Sequence, residues 1–294
     1  MHEVNAKSIL SAQNGMNLYR GCSHGCIYCD SRSTCYGMKH DFEDIEVKIN
    51  APQLLEAALR SKRKKCMIGT GAMSDPYLPL ENKLGLTRKC LELIEYYGFG
   101  AALQTKSDLV LRDLDLLKKI NERTKCVVQM TLTTADEELC RILEPHVCTT
   151  KKRAEVLNIL REEGIPTVVW FCPALPFIND TEENVRGIMD YAVRAKAYGV
   201  LHFGMGVTLR DGDRQYFYEK LEEHFPGLRR KYIENYGNAY EVGSPNEKKL
   251  MSVFYEICRK NGLESSMDRI FSYLHKFEEK LSASQMNLFD FMPM

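Results

Sequence analysis

The segment Arg20-Gly21-Cys22-Ser23-His24-Gly25-Cys26-Ile27-Tyr28-Cys29 sets three thiols in a row, with three and then two residues between them. A loop that short can aim all three sulfurs at one point, and Gly21 and Gly25 permit the tight backbone this requires. Thiolates are soft ligands that suit zinc or an iron–sulfur cluster. A structural zinc site needs a fourth ligand, for which His24 and Cys35 are the nearest residues. A four-iron cluster held by three cysteines instead leaves one iron open to an exogenous ligand. Spacing alone leaves both readings standing.

Outward from this loop, short apolar runs alternate with longer amphipathic ones. Residues 16–20, 66–72, 100–105, 126–132, 167–171 and 200–205 read as six strands. Residues 51–62, 89–97, 109–120, 153–163 and 182–198 carry apolar side chains at helical spacing. Asp136 and Asp180-Thr181 stand where helix caps are expected. Strand alternating with helix implies parallel strands, because a parallel crossover takes a dozen or more residues. Six units predict an α/β fold, a partial (β/α)6 TIM-like barrel. After about residue 209 the pattern changes, and 213–225, 228–236, 246–261 and 267–281 read as helices without intervening strands. The expected organisation is a barrel over 1–210, a C-terminal helical extension over 211–281 and a tail over 282–294.

The 294 residues include 44% hydrophobic and 27% charged side chains, which excludes wholesale disorder. Lys+Arg and Asp+Glu balance at 40 each, so no strong overall attraction to a polyanion is built in. No apolar run approaches the roughly 20 residues of a membrane span, and the first residues lack the apolar core of a signal peptide. A cytoplasmic location without membrane contact is expected. Eleven cysteines, an odd number, argue against a disulfide framework. Those outside the cluster, such as Cys66 and Cys126, sit in apolar stretches and read as small buried hydrophobes.

With C-x3-C-x2-C directly after a first strand and β/α alternation behind it, the sequence resembles the radical S-adenosylmethionine (SAM) superfamily. The resemblance implies that Cys22, Cys26 and Cys29 hold a [4Fe-4S] cluster and that SAM chelates the open iron. It implies reductive cleavage of SAM to a 5′-deoxyadenosyl radical, with an electron donor such as flavodoxin or ferredoxin. Tyr28 occupies the aromatic position before the third cysteine that lies against the adenine in that superfamily.

The likeness narrows to spore photoproduct lyase-like proteins over about residues 16 to 210. It rests on Ile68-Gly69-Thr70-Gly71-Ala72-Met73-Ser74-Asp75-Pro76-Tyr77, Leu103-Gln104-Thr105-Lys106-Ser107, Met130-Thr131-Leu132-Thr133-Thr134, Glu144-Pro145…Arg153, and Pro173-Ala174-Leu175-Pro176-Phe177. It implies cofactor contacts from Ser74 and Asp75 (amino group or ribose), Lys106 (carboxylate), Thr131 (hydroxyl contact) and Arg153. One departure is plain. Spore photoproduct lyases carry a hydrogen-donating cysteine just before the Ser-Asp pair, and here that place is Ala72-Met73. Tyr77 and Cys172 are the substitutes the sequence offers.

The carboxyl tail contains Gln285-Met286-Asn287-Leu288-Phe289, which looks like the peptide by which bacterial repair and replication proteins bind the sliding clamp. Leu288 and Phe289 would fill an apolar pocket while Gln285 makes directional hydrogen bonds. The alternative is that these apolar residues pack on the protein's own barrel. A clamp partner points the substrate toward DNA, with residues 62–65 and 151–153 as basic runs for phosphates. A duplex target base would then have to be flipped out. The expected function is radical chemistry on DNA, a lyase-like lesion repair. The alternatives are radical modification of RNA, a peptide or a metabolite, or a non-catalytic metal-stabilised clamp-binding protein.

Overall fold

A computed structural model describes residues 1–280. In chain order the strands are β1 (His2–Val4), β2 (Gly15–Met16), β3 (Tyr19–Arg20), β4 (Glu46–Lys48), β5 (Met67–Thr70), β6 (Gly100–Thr105), β7 (Cys126–Thr131), β8 (Thr167–Trp170), β9 (Gly199–Leu201), β10 (Gly206–Thr208) and β11 (Glu241–Gly243). Six of them form one sheet in the order β2-β5-β6-β7-β8-β9, and every pairing is parallel. The ends of that order, β2 and β9, do not pair, so the barrel is open. No described helix is long and apolar enough to cross a membrane.

The central strands show why the arrangement follows from sequence. All six residues of β7, Cys-Val-Val-Gln-Met-Thr, are buried, as expected for a parallel strand covered on both faces. Along β7, Cys126, Val128 and Met130 join the main core beneath the outer helices, whereas Val127 faces the other way into a cluster with Val168, Leu201, Ile270 and Leu274. The inner face therefore carries Val127, Gln129 and Thr131 by simple alternation. Asp136 caps the helix Glu137–Leu143, its carboxylate accepting from the Glu138 and Leu139 N–H groups. Thr181 caps Glu182–Arg194 by accepting from the Asn184 N–H.

Four expectations change. The single first strand over 16–20 divides: β2 joins the barrel, and β3 joins β1 and β4 in a separate sheet. The helix expected over 109–120 opens as a 3-10 segment, Asp108–Asp113, before the α-helix Leu114–Arg123. The segment after residue 209 is not purely helical, because β11 pairs antiparallel with β10. A three-residue strand carries no usable periodicity; its partner lies over thirty residues away and makes it a strand. The last helix spans Met267–His275, shorter than the 267–281 expected. The tail with Gln285, Leu288 and Phe289 lies outside the described residues. At the β9 edge, Val200 donates to the Glu264 carbonyl at 2.9 Å, which covers backbone groups the open sheet would leave unpaired.

Candidate functional site

The cysteine loop leaves β3 and is pinned from several sides. At Gly21 (φ +86°) an added Cβ would stand 2.4 Å from the Phe42 carbonyl oxygen, so only glycine fits. Beside it, Cys22 donates its N–H to that same carbonyl at 3.0 Å. The Ser74 hydroxyl donates to the Gly21 carbonyl at 2.6 Å. Further along, Ile27 donates to the Leu143 carbonyl and His146 to the His24 carbonyl. The loop also shares a core with the C-terminal helices, since Cys26, Ile27 and Tyr28 pack in one cluster with Phe217, Tyr218 and Tyr232.

Cys22 and Cys26 are buried and Cys29 is half-buried. Burial pushes the Cys22 thiol up to about 12 and raises Cys26 and Cys29 as well. Buried sulfurs of this kind become thiolates when a metal supplies the compensating charge. Among the described residues, the one trio of His, Cys, Asp or Glu ligand atoms within 4.8 Å of one another is His2, His40 and Asp44, so the three sulfurs do not all lie that close. A tetrahedral zinc ion, with Zn–S of about 2.3 Å, would hold its sulfurs roughly 3.8 Å apart. Soft, largely buried and widely set, the three cysteines fit an iron–sulfur cluster better than one ion.

Lys106 follows β6 on the inner face. Its burial disfavours the charge, but Cys26, Glu144 and Cys29 around it raise its pKa above the ordinary lysine range. Among the described residues its ammonium has no hydrogen-bond or ion-pair partner, and it lies 5.9 Å from the Tyr28 ring centroid. Across the sheet, the Thr131 hydroxyl is buried and likewise has no partner. An unpaired ammonium and an orphaned hydroxyl beside three cysteines suit a small zwitterion with a carboxylate.

The other expected contacts are placed differently. Ser74 spends its proton on Gly21. The Asp75 carboxylate accepts from the Tyr77 N–H (2.8 Å), the Thr105 hydroxyl (2.7 Å) and the Lys106 N–H (2.7 Å), and lies 3.1 Å from His24 Nε2. Burial opposes its charge, yet His24, the Lys106 N–H and Thr105 hold the carboxyl below its usual range. Asp75 thus knits the ends of β5 and β6 to the cysteine loop. Arg153, expected at the cofactor, is fully buried: it donates to the carbonyls of Thr131 (2.7 Å) and Cys148 (3.0 Å) and pairs with Glu144. Glu144 also accepts from the Tyr28 hydroxyl and from Thr133. Glu144 and Arg153 therefore hold Tyr28 in place from behind. Sequence reading placed no role on Glu144 or Thr133, and offered His24 only as a zinc ligand, whereas here it lies against Asp75; the Glu144-Pro145…Arg153 stretch carried the hint.

Of the substitutes for the absent cysteine, Tyr77 is fully buried in the main core. Cys172 is half-buried, and burial pushes its thiol up to about 11, so it keeps its hydrogen at neutral pH. The basic runs also differ in position. Residues 62–65 precede β5, at the end of the strands away from the cysteine loop, whereas Lys151 and Lys152 open the helix Thr150–Glu162 after β7, on the same side as that loop.

A family model for the radical SAM superfamily matches residues 16–192. An uncharacterised protein of Mycobacterium tuberculosis is 30% identical over 252 residues, covering 80% of this chain and 73% of that protein. Another, of Methanocaldococcus jannaschii, is 33% identical over 183 residues, covering 61% and 67%. In three dimensions the chain is similar to a spore photoproduct lyase variant with bound AdoMet and dinucleoside spore photoproduct. The TM-score is 0.60 at 14% identity, over 85% of this chain and 74% of that one. That likeness is one of fold.

Proposed function

Because this chain belongs to the radical SAM superfamily, we propose that it holds a [4Fe-4S] cluster on Cys22, Cys26 and Cys29 and binds SAM to carry out radical chemistry on DNA, a lesion repair of lyase type. The observation that carries the reading is the cysteine trio, two buried and one half-buried, with the Lys106 ammonium beside it and the Thr131 hydroxyl on the neighbouring strand, both without partners among the described residues. Cluster and SAM together supply one-electron cleavage to methionine and a 5′-deoxyadenosyl radical. The protein binds, orients and shields: Lys106 takes the SAM carboxylate, Thr131 adds a hydroxyl contact, and Tyr28, fixed through Glu144 and Arg153, forms a wall. Ser74 and Asp75 hold the loops that carry the cysteines and Lys106.

The DNA assignment is supported by the fold shared with a protein whose structure holds a dinucleoside photoproduct, and by Lys151 and Lys152 on the site side. The tail peptide Gln285, Leu288 and Phe289 supports delivery by a sliding clamp. A flavodoxin or ferredoxin would supply the electron, and a cytoplasmic setting accords with that. Without a thiol at Ala72-Met73, Cys172 is the group to return a hydrogen atom to substrate. The test is 5′-deoxyadenosine formation by anaerobically reconstituted protein given SAM and a strong reductant. Formation by wild type but not Cys26→Ala, raised by ultraviolet-irradiated DNA over RNA or peptide, is expected. An intact, reducible cluster that never yields 5′-deoxyadenosine with any of these would overturn the enzyme reading.

A further inference from the structure

The inner face of the barrel carries a second feature that the cofactor contacts do not use. In the β6/β7 register Gln104 stands opposite Gln129, and in β7/β8 Thr131 stands opposite Trp170. Residues paired in this way share one face of the sheet. Trp170 pairs in turn with Leu201, so Phe203, two residues on, continues that face beyond β9. The Trp170 indole is fixed: its Nε1–H donates to Gln129 Oε1 at 3.0 Å, and Phe271 braces it edge-on with centroids 6.2 Å apart. Phe203 packs on Trp170 with centroids 5.7 Å apart and its ring tilted 51° from the indole, and yet is 57% exposed. Among the described residues the Gln104 amide has no hydrogen-bond partner.

From this juxtaposition we infer that Phe203, braced at a tilt on Trp170, is the stacking surface for one unstacked nucleobase, whose edge is met by the amides of Gln104 and Gln129. The inference rests on the nucleic-acid reading above and names the chemistry that places its substrate. A purely apolar occupant would leave the Gln104 amide, and the part of the Gln129 amide that Trp170 does not engage, facing it without partners, which costs free energy. The charge beside this row is the Lys106 ammonium, which the function proposed above commits to the SAM carboxylate. A planar base offers a π face to the rings and alternating donors and acceptors to the amides, each able to both give and take a hydrogen bond. The same face carries Thr131, two residues along β7 from Gln129, so a base seated here lies beside the expected cofactor contacts. A base inside a duplex could not reach this surface without being turned out.

Trp170 is the single tryptophan of the chain, so tryptophan fluorescence reports the surroundings of this one indole. The protein, with or without cluster, is titrated with single-stranded oligothymidylate and, separately, with an abasic oligomer of equal length that has the same phosphates. Saturable quenching by the first and none by the second is expected. Phe203→Ala should weaken that binding about tenfold, and Gln104→Ala by less; Phe203 is exposed, so its loss leaves folding intact. Equal responses to both oligomers, or an unchanged affinity in Phe203→Ala, would overturn the platform. So would indifference to oligonucleotide combined with a change in fluorescence on removing residues 281–294, which would make the surface a seat for the chain's own end. Quenching by oligouridylate alone would keep the platform and overturn the DNA reading. DNA-stimulated 5′-deoxyadenosine formation with silent Trp170 fluorescence would do the reverse.

Discussion

The Ser74 hydroxyl donates to the Gly21 carbonyl at 2.6 Å, tying the loop after β5 to the residue that precedes Cys22. A serine expected to touch cofactor thus acts on the backbone that presents the first sulfur. Ser74→Ala should cost about 1 kcal/mol, the worth of one hydrogen bond, and lower Tm by a few degrees. Its larger effect should fall on iron retention after reconstitution, read by metal analysis. Iron content equal to wild type would separate Ser74 from the cluster loop.

Thr131 offers a prediction whose two parts have opposite sign. Its hydroxyl is buried and, among the described residues, unpaired, so Thr131→Val, nearly the same shape, removes an unsatisfied group. The cofactor-free protein should keep its Tm or gain about 2 °C. SAM affinity should fall roughly three- to tenfold, as for one lost hydrogen bond, measured by calorimetry on reconstituted protein. A loss of stability with unchanged SAM binding would place the hydroxyl outside the cofactor site.

Glu144 and Arg153 form a buried pair, and removing one partner leaves the other charge uncompensated. Glu144→Gln should cost about 3–5 kcal/mol at neutral pH. Burial alone would raise the Glu144 carboxyl, but Arg153 and Lys106 bring it down to about 2 from an ordinary 4.5. A carboxyl with a lowered folded pKa stabilises fully above its unfolded value, and that contribution is lost as pH falls toward the folded one. Urea melts of metal-free wild type should therefore weaken between about pH 4.5 and 2, and Glu144→Gln should lose that part of the slope.

Cys172→Ala tests the hydrogen donor. The thiol keeps its proton at neutral pH, being pushed up to about 11 by burial. The variant should retain its cluster and form 5′-deoxyadenosine, while the substrate product shifts in identity or falls in yield. Unchanged product would remove Cys172 from the mechanism.

Several features were legible because they are local. The thiol spacing lies within one short loop, and the runs that became β6 and β7 are long enough to show their burial without partners. The caps at Asp136 and Thr181 are contacts over two or three residues. The first strand was misread because Tyr19–Arg20 pairs with Val47 and Glu46, which no window around residue 16 contains. The strand β11 was missed for the same reason.

The sequence by itself determined the chemistry that can be held here: three soft ligands in a tight glycine-bearing loop at the head of a β/α chain. Those are properties of neighbouring residues and of side-chain type. Only the tertiary structure decided which polar residues remain free for that chemistry. Asp75 finds its partners at Thr105 and Lys106, and Arg153 finds the Thr131 carbonyl, all remote in sequence, so both are consumed internally. Among the described residues the Lys106 ammonium and the Thr131 hydroxyl stay unspent, and Trp170 and Phe203 meet on one face, only because the register of four strands brings them there. A polar group binds a ligand when its hydrogen-bonding capacity has not already been met, and that balance is a property of the packed fold rather than of the residue.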